Sequence, residues 1–143
     1  MRFIESSGDF MENKIKHLEM IQSIITRMAQ NSFMIKGWSL TLVVAMVAFV
    51  PKTACLFIPV AIIPILIFAC LDAYYLQLER KYKKLYDIVR EKEESDVNFN
   101  LKITDQCKEE SNKYCVCLFS RSILLFYSPV LIACVGIILA LFL

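Results

Sequence analysis

Glycine, proline and histidine are scarce in this chain: three, four and one among 143 residues. So little Gly and Pro argues against long flexible linkers. Also missing are a GxSxG elbow, a Walker loop, an HExxH pair and any Cys–His spacing suited to a nucleophile. The sequence therefore reads as a non-enzyme without a cofactor. A net charge of +2 is too small to draw the chain onto a nucleic-acid duplex. The six cysteines do not make a disulfide framework. Cys55, Cys70 and Cys134 lie in apolar stretches, where a thiol serves as a small apolar group. Cys107, Cys115 and Cys117 fall in a segment read below as cytosolic, hence reducing. Cys115-x-Cys117 has neither a second pair nor a nearby histidine, which argues against zinc. The lone His17 reads as a solvated helix residue.

What the chain has in quantity is apolar surface, with 57% hydrophobic residues and a mean hydropathy of +0.54. Three stretches approach the roughly 20 residues that a helix needs to cross a bilayer. They are FMIKGWSLTLVVAMVAFV (33–50), ACLFIPVAIIPILIFACL (54–71) and ILLFYSPVLIACVGIILALFL (123–143). About thirty mostly polar residues precede the first, which does not fit a cleaved signal peptide. Inside the spans the polar residues are few (Ser39, Thr41, Ser128), so one copy of the chain cannot enclose a wide aqueous pore.

Lysines and arginines set the orientation. Arg2, Lys14, Lys16, Arg27 and Lys36 precede Gly37, Lys52 alone lies between the first two spans, and the remaining bases run from Arg80 to Arg121. The N-terminus and the 73–122 segment are expected in the cytoplasm, and the C-terminus outside.

Periodicity extends two spans beyond the membrane. Phe68, Leu71, Tyr75, Leu78, Tyr82, Leu85 and Val89 alternate by three and four residues, the spacing of a packed helical seam. One helix is expected from about Ala54 to Lys92, roughly 58 Å long. Leu18, Ile21, Ile25, Met28, Ser32 and Ile35 repeat the spacing upstream, with Ile15, Met20 and Ile24 widening the stripe. That helix is expected to run into the first span, with Gly37 as a possible bend and Pro51-Lys52-Thr53 as the outer turn. Pro59 and Pro64 are tolerable within a span and predict a kink. The expected fold is an all-α membrane protein whose first two of three transmembrane helices extend into the cytosol as a long hairpin. Its parts are a cytosolic helix (1–36), the transmembrane hairpin (37–72), a cytosolic helix with a polar segment (73–122) and a third span (123–143). Residues 93–117 read as a loop with a little helix.

Two groups of residues are candidates for a role. Trp38, Tyr74 and Tyr75 mark the cytosolic interface, where amphipathic rings settle. Asp72 is either solvated at headgroup level or paired with Lys36 or Arg121 as a tie between spans, a structural bond or a latch. Leu78 and Leu85 belong to the seam, which can serve an oligomer or a partner protein. The second group is Arg80, Lys81, Lys83 and Lys84, with Tyr82, Tyr86 and Arg27. These bases can contact anionic lipid, at roughly 1 kcal/mol each, or hold an anionic ligand against the tyrosines.

The stretches RMAQNSFMIKGWSLTLV (27–43), FACLDAYYLQLERKYKKLY (68–86) and LFSRSILLFYSP (118–129) together resemble the small three-span membrane effectors of bacterial antiphage defence islands, of the Hailong type. The resemblance implies a channel-like effector of the inner membrane that opens during infection, depolarises the host and arrests growth. It also implies a partner nucleotidyltransferase whose cyclic oligonucleotide product holds the effector closed. Conduction by so few spans requires a homo-oligomer, with a tetramer expected. The alternative is a non-conducting anchor or adaptor that recruits a soluble partner through the cytosolic seam.

Overall fold

The computed structural model describes residues 2–49, 57–93, 98–107 and 109–142. Among them every regular element is helical: α1 (Arg2–Phe49), α2 (Phe57–Glu91), α3 (Tyr114–Leu118) and α4 (Arg121–Phe142), with single 3₁₀ turns at Asp105–Cys107 and Glu110–Asn112. The 51–53 turn and Cys55 lie outside the described residues. α1 continues unbroken through Gly37, whose carbonyl also accepts a hydrogen bond from the Thr41 hydroxyl at 2.9 Å. Pro59 falls in the first turn of α2, where a missing N–H removes no helical bond. Pro64 lies inside α2, which carries on past it.

The two long helices run antiparallel. Near the base of the hairpin, Lys14 Nζ donates to the Lys92 carbonyl at 2.7 Å. Higher up, Ile21 and Ile25 meet Leu85 and Val89. Ser32 reaches Asp72, and Val43 packs with Ile65 and Ala69. As numbers rise along α1 they fall along α2, so the two helices are paired from Lys14 and Lys92 up to Val43 and Ile65.

Two apolar cores result, with different physics. The lower one consists of Ile21, Ile25, Leu85, Val89 and Cys107, flanked by Leu18, Tyr82, Tyr86, Ile88, Leu101 and Ile103. It lies on the charged halves of the helices, and each large apolar side chain fully buried out of water contributes about 1.5–3 kcal/mol. The upper one consists of Val43, Ile65, Ala69, Ala73, Ile123, Tyr127 and Cys134, on the apolar halves. For helices in a membrane, hydrocarbon gives no hydrophobic drive, and close packing across small residues such as Ala69 and Ala73 is what holds such helices together.

Residues 10–48 and 62–91 each contain a window long and apolar enough to cross a membrane, of mean hydropathy 1.3 and 1.5. Only 17% and 22% of those windows are buried within the chain, whereas the core helix of a water-soluble domain is mostly covered. α4 is the shorter apolar helix, packed mainly on α2 through Ile123, Tyr127 and Cys134.

The seam on α2 differs from its sequence pattern in the upper half. Leu71 is 43% exposed, while Ile65, Ala69, Asp72 and Ala73 are buried. Apolar periodicity misplaces the face there because the exposed positions, Leu66, Ile67 and Leu71, are apolar too. In the lower half Leu85 and Val89 are buried and Tyr82 packs beside them, as the pattern predicts. On α1, Ile21, Ile25 and Ile35 are buried, but Ile15 and Met20 are 50% and 45% exposed and do not widen the stripe. His17 is the clearest correction. It is 1% exposed, covered by the Phe99 ring at a centroid distance of 5.5 Å.

Candidate functional site

The hairpin carries a buried polar cluster where its apolar half meets its charged half. Asp72 has no solvent-exposed side-chain surface, and Lys36 Nζ lies 2.5 Å from its Oδ2. The Ser32 hydroxyl donates to Asp72 Oδ1 in a short contact, and Lys36 Nζ donates to Ser32 Oγ at 2.9 Å. Ser32 and Lys36 stand one turn apart on α1, so both reach the same carboxylate on α2. Asp72 is therefore not solvated at headgroup level, and its partner is Lys36 and not Arg121, which is exposed at the start of α4. A buried ion pair of this kind is favourable only with further hydrogen bonds to its remaining atoms, and Ser32 supplies one.

Two hydroxyls lie in the same region without a partner. Ser39 Oγ and Tyr127 Oη are buried and make no hydrogen bond. Ser39 is one turn beyond Lys36 on α1, and Tyr127 on α4 packs in one cluster with Ala73, the residue after Asp72 on α2. Each unpaired hydroxyl costs roughly 1–3 kcal/mol when buried. Around the cluster, Trp38 is 66% exposed and Tyr74 49%, while Tyr75 is half-buried and stacks edge-on against Tyr74 at 5.8 Å.

Below this level the basic arm of α2 is tied down by the polar segment that precedes α3. Arg80 donates to the Ser111 carbonyl at 2.8 Å, and Gln77 to that of Asn112 at 2.9 Å. Lys84 pairs with Glu109 at 2.6 Å, and Lys83 with Glu79 of its own helix at 2.5 Å. Their mutual attraction holds the Glu109 carboxyl below its ordinary range and the Lys84 ammonium above it. Buried Asn112 continues the chain of bonds to the Cys107 carbonyl at 3.1 Å, and Tyr114 Oη donates to that of Cys70 at 3.1 Å. Burial raises the Cys117 thiol above its usual value, while the charges of Arg80 and Lys81 pull it down. Cys70, Cys107, Cys115, Cys117 and Cys134 are free thiols.

The candidate ligand residues thus fall in two places. Arg80, Lys81, Lys83 and Lys84 line one side of the arm, with Tyr82 and Tyr86 packed on the lower core. Arg27 lies elsewhere, on an open groove of about 650 Å³ lined by Lys16, Glu19, Met20, Ser23, Phe99 and Leu101. Leu85 is buried in the chain's own lower core, and Leu78 is half-buried. Sequence reasoning missed Ser32, Tyr127 and the 109–112 staple. A serine inside an otherwise apolar seam and a tyrosine away from the interface were the available signals for the first two. Comparison with protein-family models, curated proteins and solved structures gives no match.

Proposed function

We propose that the chain is the membrane effector of a bacterial antiphage defence system, a homo-oligomeric gated channel of the inner membrane governed through its cytosolic arms. The observation that carries this reading is the unbroken α2. It joins the Asp72 cluster within the bundle to the basic arm, which is itself held by the 109–112 segment. A ligand on the arm can shift the bundle only by binding one of its states more tightly than the other, and a continuous helix transmits that difference without an intervening loop. The third span is α4. The N-terminus faces the cytoplasm and the C-terminus the outside. A cyclic oligonucleotide made by a partner enzyme is the regulatory ligand, with Arg80, Lys81, Lys83, Lys84 and Arg27 as the bases that attract it. Four copies around an axis enclose the conducting path.

The reading is tested by inducing the chain, with and without the nucleotidyltransferase that the proposal assigns to it, in cells carrying a potential-sensitive dye. The Arg80, Lys81, Lys83 and Lys84 to Gln variant is expected to depolarise the membrane and stop growth even with the enzyme present. Normal potential and growth in that variant, with the protein in the membrane, would remove the basic arm from regulation. The groove beside Arg27 favours a second reading, an adaptor. Its exposed Met20 (45%) and Phe99 (41%) next to Arg27 and Lys16 suit an amphipathic partner. A purified protein that is monomeric and electrically silent would favour that reading.

A further inference from the structure

A buried carboxylate, a serine hydroxyl and one ammonium group form a polar knot between α1 and α2, in a part of the bundle that otherwise presents hydrocarbon. Lys36 Nζ meets Asp72 Oδ2 and Ser32 Oγ, and the Ser32 hydroxyl meets Asp72 Oδ1. Two further hydroxyls, on Ser39 one turn along α1 from Lys36 and on Tyr127 of α4, are buried and unpartnered, at 0% and 4% residue exposure. Hydroxyls are seldom left so in a packed protein, and in a membrane no solvent relieves them. A carboxylate with several neutral oxygens is the donor set that hard inorganic cations take. The ammonium now on it is the end of a flexible stem whose side chain keeps 17% exposure, enough to withdraw toward the headgroups as lysines near a membrane surface do.

We propose that Asp72, Ser32, Ser39 and Tyr127 form a site for a monovalent inorganic cation, potassium or sodium, and that the Lys36 ammonium is a tethered occupant that keeps it out. The tether carries the same single charge as the free ion, so exchange leaves the buried carboxylate neutralised throughout. A divalent ion would bring one unbalanced positive charge into the bundle. With Lys36 in place the site is closed to ions. With Lys36 withdrawn, an oxygen-lined step for cations is open at the cytosolic end of the spans. This deepens the channel reading and rests on its membrane placement, but it concerns binding within a single bundle.

The test uses the full-length protein purified in detergent, as wild type, Lys36→Met and the double variant Lys36→Met with Asp72→Asn. Thermal unfolding is followed in potassium, sodium or N-methylglucamine chloride at matched ionic strength. Lys36→Met is expected to melt about 5 °C higher in potassium or sodium than in N-methylglucamine, because an ion that binds only the folded state raises the midpoint. Wild type and the double variant are expected to melt equally in all three salts. Equal melting of Lys36→Met in the three salts would overturn the site. So would a double variant that responds as strongly as the single one, or a Lys36→Met protein that no cation allows to fold. Because the measurement needs neither conduction nor infection, its failure leaves the defence reading standing. Conversely, absence of depolarisation in cells leaves the cation response intact.

Discussion

At the scale of single residues, His17 and Asp72 show two ways of burying a polar group. Asp72 is matched by a charge and a hydroxyl. His17 is not matched: neither ring nitrogen has a well-formed hydrogen bond, although the Asn100 backbone lies near enough to offset part of the burial. Burial and the nearby Lys92 charge hold its pKa below the ordinary 6.5. The folded chain then binds fewer protons there than the unfolded one, so stability is full above about pH 6.5 and is lost as the pH falls. Denaturation of the cytosolic arms, followed between pH 7.5 and 5.5, is expected to weaken steadily. His17→Leu is expected to flatten that dependence and to leave the pH 7.5 stability equal or higher. A wild-type protein whose arms are indifferent to pH over this range would show that the imidazole reaches a partner. Phe99, the ring that covers His17, has a φ of 50°, a left-handed value that is uncommon for a bulky residue. Asn98 Oδ1 accepts from the Asn100 N–H at 3.2 Å, and Asn100 Oδ1 from the Lys102 N–H at 3.0 Å. These side-chain turns on either side help to hold the backbone in that shape.

At the scale of elements, the lower seam is filled by the chain itself. Leu85 is 6% exposed among Ile21, Ile25, Val89 and Cys107, and the 101–107 stretch lies over it. Leu85→Asp places an unpaired charge in that core, a loss of several kcal/mol. It is expected to loosen the arms within one copy, seen as protease cleavage between α2 and α3, while the protein still inserts in the membrane. Leu78→Asp, at a half-buried position, is expected to be milder. If Leu85→Asp instead leaves the arms protected and only splits an oligomer, the seam serves contacts between copies. The hairpin was legible because strict three-and-four spacing over 18–35 and 75–89 has one good explanation in water. It became illegible in the apolar half, where Leu71 is exposed and Ala69 and Ala73 are buried. There small residues and buried polar groups mark the packed face. The staple was illegible for another reason. Gln77, Arg80 and Lys84 are ordinary surface residues until Glu109, Ser111 and Asn112 come to them, and that pairing depends on three-dimensional approach alone. Of the candidate site, the Lys36–Asp72 pair was legible as one of several possibilities, since both charges border apolar runs at similar depth. Neither Ser32 nor Tyr127 was legible as its neighbour.

At the scale of the whole molecule, orientation decides what the arms can sense. Sixteen Lys and Arg residues are distributed so that Lys52 alone lies between the first two spans. In the proposed membrane placement, such asymmetry holds the heavily basic side in the cytoplasm, because basic loops resist translocation. If the order were reversed, the arms, the Asp72 cluster at their root and the 109–112 staple would all face the exterior, beyond the reach of any cytosolic ligand. Cys115 is a natural reporter, exposed and free on the staple side of the bundle. Lys52→Cys supplies a reporter at the opposite end. With a membrane-impermeant maleimide on intact spheroplasts, Lys52→Cys is expected to gain label over wild type, and Cys115 is expected to react only after permeabilisation. Labelling of Cys115 in intact spheroplasts, with position 52 protected, would reverse the topology and with it every cytosolic role assigned to the arms.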